Sequence, residues 1–387
     1  MRRLRTASTR RLLLIVAVLV AAVTGAGIAQ AALTTAEKPA PKPLDRALLD
    51  AANAKPVEGV TARIKFTNNL LPSGSLPEGT ASPALTGASG RLWLANDGKL
   101  RLELQSANGD AQIVADGERY LIYDAASKQA FTGKLQSREQ KPERKSDPTL
   151  GGIQGALSQL GQAWTFSGAT PSNVAGQPSY TVRIAPKDDG GLLGAAEVAW
   201  DAARGVPLRA AVYAQGDANP VLEIEATDIS YGAIPAAKVD ATPPKGARVT
   251  EINPSLKMDA QGKPVAVEGA DNVQKELDFP LSAPDELADL PRKSVRLIKT
   301  GDKSGAVSTY GQGLGQILVF QSKAEGGKSS VAPGGLTLPQ VNIDGATGSE
   351  LATALGTLLT FQRDGVQYVV VGSIPPIAAE NAARGLK

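Results

Sequence analysis

The fold is decided by residues 88–135, ASGRLWLANDGKLRLELQSANGDAQIVADGERYLIYDAASKQAFTGKL. Within this stretch Leu100, Leu102 and Leu104 alternate with charged residues, so the three leucines share one face. A period of two is typical of a strand that is buried on one face and exposed on the other. Turns such as Asn96-Asp97-Gly98 separate the runs, because glycine adopts positive φ without steric cost. The stretch predicts an antiparallel meander whose continuous apolar face must be covered or filled.

Similar short runs flank this meander on both sides. They predict further strands at Val60–Thr67, Tyr180–Ala185, Ala195–Trp200, Leu208–Tyr213 and Leu222–Ile229. About ten strands with few helices are expected of a large curled antiparallel sheet or barrel. The predicted fold class is therefore mainly β, of the α+β type.

One helix is predicted after the meander. Its apolar residues recur at intervals of three and four and form one stripe, namely Leu150, Ile153, Leu157, Leu160 and Trp164. Asp147-Pro148 supplies an N-cap acceptor followed by a proline at the first helical position. Several glycines weaken the helix, each by up to about 1 kcal/mol relative to alanine. A helix held mainly by its apolar stripe can detach, so this segment is interpreted as a movable lid.

The first residues carry the pattern of an export signal. Five arginines precede the apolar run Leu12–Val23, and Ala29-Gln30-Ala31 offers a cleavage site, which predicts a signal at residues 1–31. A retained membrane anchor is the alternative. The apolar run is short for a span of roughly 20 residues. Removal of these residues would leave 36 basic and 38 acidic side chains, and no basic patch interleaved with aromatic residues remains, so no nucleic-acid partner is expected.

Histidine and cysteine are both missing from the sequence, which restricts its chemistry. This excludes a Ser-His-Asp triad, a thiol nucleophile, disulfides and histidine-ligated metals. Gly311, Gly313 and Gly315 suggest a phosphate loop, but Gln316 stands where the dinucleotide motif needs its next glycine. No catalytic residue, metal site or cofactor is predicted, and an enzyme acting on envelope polymers is disfavoured because no nucleophile and base form a recognisable pair.

Two interpretations of the apolar sheet face stay open at this stage. It is either an ordinary core packed beneath a helix or a cavity for an apolar guest beneath a movable lid. Aromatic residues make up only 4% of the chain, so a wide curled sheet is hard to fill to normal density. The predicted cavity lining consists of Leu92, Leu94, Leu100, Leu102, Leu104, Ile113, Tyr120 and Ile122.

The chain divides into two predicted modules. A tether at residues 32–43 leads to a first domain at 44–252, and a polar linker at 253–278 leads to a second domain at 279–387. The second domain has predicted strands at Val295–Lys299, Gln316–Gln321, Gly356–Gln362 and Gln367–Gly372, and a closing helix at Pro375–Leu386. The short apolar run Glu350–Leu355 fits a helix or a strand equally well.

The order of several segments resembles the LolA/RseB family of exported lipid- and lipoprotein-binding proteins. These segments are Gly90–Leu94, DGKLRLELQS at 97–106, QIVADGERYLIYD at 112–124, Val174-Ala175-Gly176-Gln177-Pro178, Arg204-Gly205-Val206-Pro207-Leu208-Arg209 and Pro243-Pro244-Lys245-Gly246-Ala247. Residues Asp285–Arg384 look similar to the C-terminal domain of RseB-type sensors, with Tyr310-Gly311-Gln312-Gly313-Leu314 and Val369-Val370-Val371-Gly372.

The resemblance implies a half-open antiparallel β-barrel with a helical lid, followed by a smaller α+β domain. It implies a non-catalytic, exported protein of the cell envelope, expected to be a monomer, that binds the acyl chains of a lipid or a lipidated protein as a carrier. The alternative that it implies is an envelope-stress sensor whose partner is a membrane anti-sigma factor. No lid-latch residue of the family is carried over to this sequence.

Overall fold

The computed structural model describes residues 38–71, 83–107, 109–135, 149–187, 191–251, 267–300, 303–324 and 338–387. The chain divides into two compact units. The first comprises Met1–Asn69, Gly79–Asp188 and Ala195–Asn253. The second comprises Leu70–Glu78, Asp189–Gly194 and Pro254–Lys387. The predicted export signal lies outside the described residues, as do Asp147-Pro148 and the greater part of the predicted linker. Among the described residues, no helix combines the length and the apolar character needed to cross a bilayer.

The first sheet contains thirteen strands among the described residues. They are β1 (Gly59–Asn68), β2 (Ala88–Ala95), β3 (Leu100–Ser106), β4 (Gly109–Ala115), β5 (Arg119–Asp124), β6 (Gln129–Lys134), β7 (Trp164–Phe166), β8 (Thr170–Val174), β9 (Gln177–Pro186), β10 (Leu193–Asp201), β11 (Pro207–Ala214), β12 (Leu222–Tyr231) and β13 (Arg248–Glu251). Three helices accompany them, α1 (Leu44–Ala52), α2 (Pro83–Thr86) and α3 (Leu150–Leu160). The predicted strands of this region are confirmed.

The strand order explains the shape of the first unit. It runs β13-β6-β5-β4-β3-β2-β1-β12-β11-β10-β9-β7, and β8 pairs with β9. Strands β2 to β6 form the meander and are consecutive neighbours in this sheet. The positive φ of Gly98 and Gly117 confirms the predicted turns between its strands. The end strands β13 and β7 are not paired with each other in the described part of the chain, so the curled sheet is a half-open barrel. The predicted fold class is confirmed, and the architecture is the one that the family resemblance implied.

The second face of the meander differs from the prediction. It was expected to be exposed, yet Trp93, Val114 and Leu121 are buried on it. Ala241, in the segment that leads from β12 to β13, is buried in one cluster with Val114 and Leu121. The prediction failed because this covering segment lies more than a hundred residues away in the sequence, where strand periodicity gives no sign of it.

The predicted lid helix is shorter than expected. Helix α3 ends at Leu160, and Trp164 begins strand β7 opposite Pro186, so placing Trp164 on the helical stripe was wrong. The helix is capped by Thr149, whose side-chain Oγ1 accepts a hydrogen bond from the backbone N–H of Gly152 at 3.2 Å. Strand pairing with β9 removes Trp164 from the helix and buries its ring, although its spacing in the sequence continues the helical stripe.

The second unit is built on a sheet of eight strands among the described residues. They are β14 (Glu286–Leu287), β15 (Leu290–Thr300), β16 (Lys303–Tyr310), β17 (Ile317–Lys323), β18 (Gln340–Ile343), β19 (Ala346–Thr353), β20 (Gly356–Arg363) and β21 (Val366–Gly372), in the order β14-β15-β16-β17-β21-β20-β19-β18. Helices α4 (Ala270–Gln274) and α5 (Pro376–Gly385) belong to the same unit. The buried alanines of α5 share one core with Val319, Leu359 and Val370. The undecided run at 350–355 is resolved largely as strand β19, because it pairs with β20.

Candidate functional site

An apolar row crosses seven strands of the first sheet. Cross-strand pairs place its members directly opposite one another in the order Ile229, Ala62, Leu92, Leu102, Ile113, Ile122 and Phe131. Residues paired in this way lie on the same face of a sheet, with neighbouring strands about 4.8 Å apart. We call this set the apolar row; it runs from strand β12 to strand β6.

Burial changes along the apolar row. At one end Ala62 is buried, and Leu92 and Leu102 pack against the same core cluster. At the other end Ile113 is 38% exposed and Ile122 is 44% exposed. The row is therefore a protein core over strands β12 to β3 and an open apolar surface over strands β4 and β5. Large exposed aliphatic side chains that are neighbours on a sheet mark a binding surface more often than single ones do.

All eight residues of the predicted cavity lining lie on this one face. Leu92, Leu102, Ile113 and Ile122 belong to the apolar row itself. A second row lies beside the apolar row, two residues further along each strand. In it Leu94 pairs with Leu100, Leu100 with Ala115, and Ala115 with Tyr120. Leu104 lies one step in the other direction and is buried. The structure thus brings the eight together, while their role as a ligand lining stays a prediction.

Phe131 on β6 was missed by the sequence analysis. It pairs with Ile122 and ends the apolar row, where it is half-buried. Its signal was present, because Phe131 and Gly133 alternate with Thr132 and Lys134 as the residues of a strand should. The apolar row therefore extends one strand further than the sequence analysis proposed.

Helix α3 packs against helix α1. The predicted lid residues Leu150, Ile153, Leu157 and Leu160 are all half-buried, and no residue of the helix is fully buried. Gln154 Nε2 donates a hydrogen bond to Asp45 Oδ2 of α1 at 2.7 Å, and this bond lowers the pKa of the Asp45 carboxyl. A helix with no fully buried side chain is held weakly, which fits a movable element; its action as a lid stays a prediction.

A charged network lies across strands β9 to β12. Glu197 accepts hydrogen bonds from Arg183, Arg209 and the hydroxyl of Tyr213, each at 2.8 Å. Arg209 also binds Glu223 at 2.7 Å. Burial raises the pKa of Glu197, but the bonds from Arg209, Arg183 and Tyr213 outweigh it and hold that pKa below its ordinary value. With its charge opposed on several sides, this carboxylate is a poor proton acceptor near neutral pH, so the network is best explained as structural.

The segment Arg204-Gly205-Val206-Pro207 that contributed to the family resemblance is held by one buried acid. Asp201 Oδ1 accepts from the backbone N–H groups of Ala203 and Arg204 at 2.8 and 2.9 Å, and Asp201 Oδ2 accepts from the hydroxyl of Tyr231 at 2.7 Å. Burial and the neighbouring Asp201 raise the pKa of Tyr231. Both oxygens of this carboxyl accept hydrogen bonds, so Asp201 stabilises the turn between β10 and β11 and joins it to Tyr231 of β12.

The described side chains contain no cluster of three or more acidic residues that could hold a metal ion. The apolar row offers instead a surface suited to hydrocarbon, because burial of apolar area contributes about 25 cal/mol per Å².

No family model matches the chain, and no curated protein matches it. Among solved structures, the chain is similar to the complex of MucA and MucB from Pseudomonas aeruginosa, at 18% identity and a TM-score of 0.43, covering 88% of this chain and 94% of that one. It is also similar to MucB in complex with MucA(peri), at 17% identity and a TM-score of 0.41, covering 89% and 96%. A putative outer membrane lipoprotein-sorting protein domain from Vibrio parahaemolyticus has 12% identity and a TM-score of 0.18, covering 49% and 92%. At identities this low, none of these comparisons assigns a role to a residue of this chain.

Proposed function

We propose that this chain is a non-catalytic protein of the cell envelope that binds the acyl chains of a lipid or of a lipidated protein. The observation that carries the proposal is the open end of the apolar row, where Ile113, Ile122 and Phe131 continue a protein core into solvent. A surface of this kind gains stability when hydrocarbon covers it. The export signal predicted from the sequence supports a location outside the cytoplasm.

The expected affinity follows from apolar burial. Each methylene group that leaves water contributes about 0.8 kcal/mol. Burial of roughly fifteen methylenes would therefore contribute about 12 kcal/mol, and association costs at least about 4 kcal/mol of this. The remainder is at most about 8 kcal/mol, which corresponds to a dissociation constant no tighter than about 1 μM for one chain of this length. Two acyl chains would bind more tightly than one, which suits a carrier of diacylated ligands.

Helix α3 is the proposed gate of this site. Its apolar side chains Leu150, Ile153 and Leu157 are only half-buried, and the hydrogen bond from Gln154 to Asp45 of α1 is exposed to solvent. Acyl chains are expected to compete with α3 for the apolar lining and to displace it; in the structure the helix packs against α1.

The proposal is tested with a fluorescent fatty acid and with lipid extraction. The protein is purified from its native host, and organic extracts are examined by mass spectrometry for lipid that co-purifies. Ile122→Lys should weaken fatty acid binding by at least about tenfold, since it places a charge in the open row. The matched control is Ile377→Lys on helix α5, where the isoleucine is also exposed. Equal loss in both variants, or the absence of both extracted lipid and fatty acid binding in the wild type, would refute the proposal.

A second candidate function is recognition of the extracytoplasmic part of a membrane anti-sigma factor. It is favoured by the second unit, which has its own sheet and core and which the sequence resemblance groups with the C-terminal domain of RseB-type sensors. In this case the full chain, used as bait in membrane extracts of its host, should retain one membrane protein that added lipid releases. Retention of no specific membrane protein would leave the carrier function as the better explanation.

A further inference from the structure

The second unit contains an apolar cleft of about 390 Å³. It lies on the sheet where Leu318, Val371, Leu358 and Leu351 stand directly opposite one another on strands β17, β21, β20 and β19. Leu314 and Leu355 complete the apolar lining. The volume lies within the range of sites that bind small molecules.

The cleft lies on the face of the sheet that α5 does not cover. Neighbouring residues on the same strands, Val319, Val370 and Leu359, point the other way and are fully buried in the core with the alanines of α5. The four residues of the cleft row remain half-exposed. Among the described residues of this unit, an apolar surface of four paired side chains is thus left outside the core.

The lining excludes a charged ligand group. None of the residues that line the cleft is charged. Its hydroxyl groups are also occupied: Thr357 Oγ1 donates to the carbonyl of Ile374 at 2.8 Å, Ser373 Oγ to that of Leu355 at 2.9 Å, and Thr353 Oγ1 to that of Gly356 at 2.8 Å. The carboxamide of Gln316 is the remaining polar side chain of the lining, so the cleft offers a ligand little polar recognition beyond this one group.

The pairing of the strands also argues against an extended peptide. Strands β17, β21 and β20 each have a neighbour on both sides, and so does β19. Their backbone N–H and C=O groups are used within the sheet, so a peptide lying in the cleft would leave its own backbone groups without partners. Hydrocarbon has no such groups to satisfy.

We propose that this cleft binds a single hydrocarbon chain, of the kind carried by fatty acids and lipids, with the polar head group held outside. The neutral lining matches an uncharged chain, and the site is separate from the apolar row of the first unit. It therefore stands or falls independently of the function proposed above.

The test is the number of fatty acid molecules that bind per chain of the full-length protein. Wild type should bind one equivalent of a fluorescent long-chain fatty acid more than Leu358→Trp, which fills the cleft with apolar volume, or Leu358→Gln. The wild-type total is two equivalents when the first unit also binds and one when it does not. Ile298→Gln is the matched control, because Ile298 is an exposed residue on an outer strand of the same sheet and does not line the cleft. No change in either Leu358 variant, or the same loss in the control, would overturn the proposal.

A measurement on the unmodified protein removes any dependence on how the variants fold. A fatty acid with a photoreactive group at its chain end should crosslink to the peptide that spans strands β19 and β20. Crosslinks confined to the first unit would overturn this proposal and leave the first-unit site intact, whereas crosslinks confined to the second unit would do the reverse. A dimer that Leu358→Gln dissociates would assign the cleft to a second copy of the chain and would also overturn the proposal.

Discussion

The charged network of the first sheet allows a stability prediction to be worked out bond by bond. Arg209 donates from all three guanidinium nitrogens, to Glu223 at 2.7 Å, to Glu197 at 2.8 Å and to the hydroxyl of Tyr213 at 2.9 Å. Arg209→Met keeps most of the apolar stem and removes the charge. Two carboxylates then lose their shared cation while their surroundings stay the same.

The magnitude depends on how well solvent reaches these charges. The side chains of Arg209, Glu197 and Glu223 are 17%, 18% and 14% exposed. Breaking a buried ion pair by removing one partner costs about 3–5 kcal/mol, whereas an exposed pair contributes about 0–1 kcal/mol. Since the network is mostly buried but still reached by water, we expect a loss of about 3 kcal/mol. For a domain of this size that corresponds to a fall of roughly 6–12 °C in the midpoint of thermal unfolding.

Differential scanning calorimetry measures this loss directly. The matched control is Arg183→Met, which removes another cation from Glu197 at a position where the arginine side chain is 43% exposed. Its expected cost is below about 1 kcal/mol. If Arg183→Met and Arg209→Met cost the same, or if Arg209→Met costs less than about 1 kcal/mol, burial is not what makes this network important.

Three further predictions concern the acid in the second unit, the turn beneath α1 and the cap of α3. Burial and the neighbouring Glu380 raise the pKa of Glu350, so the folded state holds its proton more tightly than the unfolded state does. Stability of the second unit should therefore fall as the pH rises through this raised pKa, and Glu350→Gln should remove that dependence in urea unfolding measured at several pH values. Gly205 has a φ of +68°, and a Cβ there would lie 2.5 Å from the carbonyl oxygen of Ala51. Gly205→Ala should therefore lower the free energy of unfolding by about 2 kcal/mol or more, and an unchanged melting midpoint would contradict this. Thr149→Ala should destabilise α3 by about 1 kcal/mol; amide hydrogen exchange of α3 should become faster, and unchanged exchange would show that the cap does not hold the helix.

Local pattern accounts for the elements that were predicted correctly. Strands β2 and β3 follow from the alternation of leucine with other residues, and the turns of the meander follow from glycines such as Gly98 and Gly117, which have positive φ in the structure. Both signals act between residues that are close in sequence, so they can be recognised without knowing the partners. The shared face of Leu102, Ile113 and Ile122 followed from the same argument.

Residues whose surroundings come from distant parts of the chain were the ones predicted incorrectly. Trp164 continues the helical spacing of α3, yet its pairing with Pro186 places it in a strand. Val114 and Leu121 alternate with Ile113 and Ile122, which were assigned to the buried face, yet Ala241 and its segment bury Val114 and Leu121. In each case the competing partner lies more than twenty residues away, beyond the reach of periodicity.

The sequence by itself determined that this chain forms antiparallel strands with one continuous apolar face, because side-chain direction in a strand depends only on position along it. Only the tertiary structure decided which part of that face is core and which part stays open. Ala62 on β1 is buried and Ile122 on β5 is exposed, although both are aliphatic members of the apolar row. The difference lies in what packs above them, and packing depends on segments whose position the local sequence does not encode.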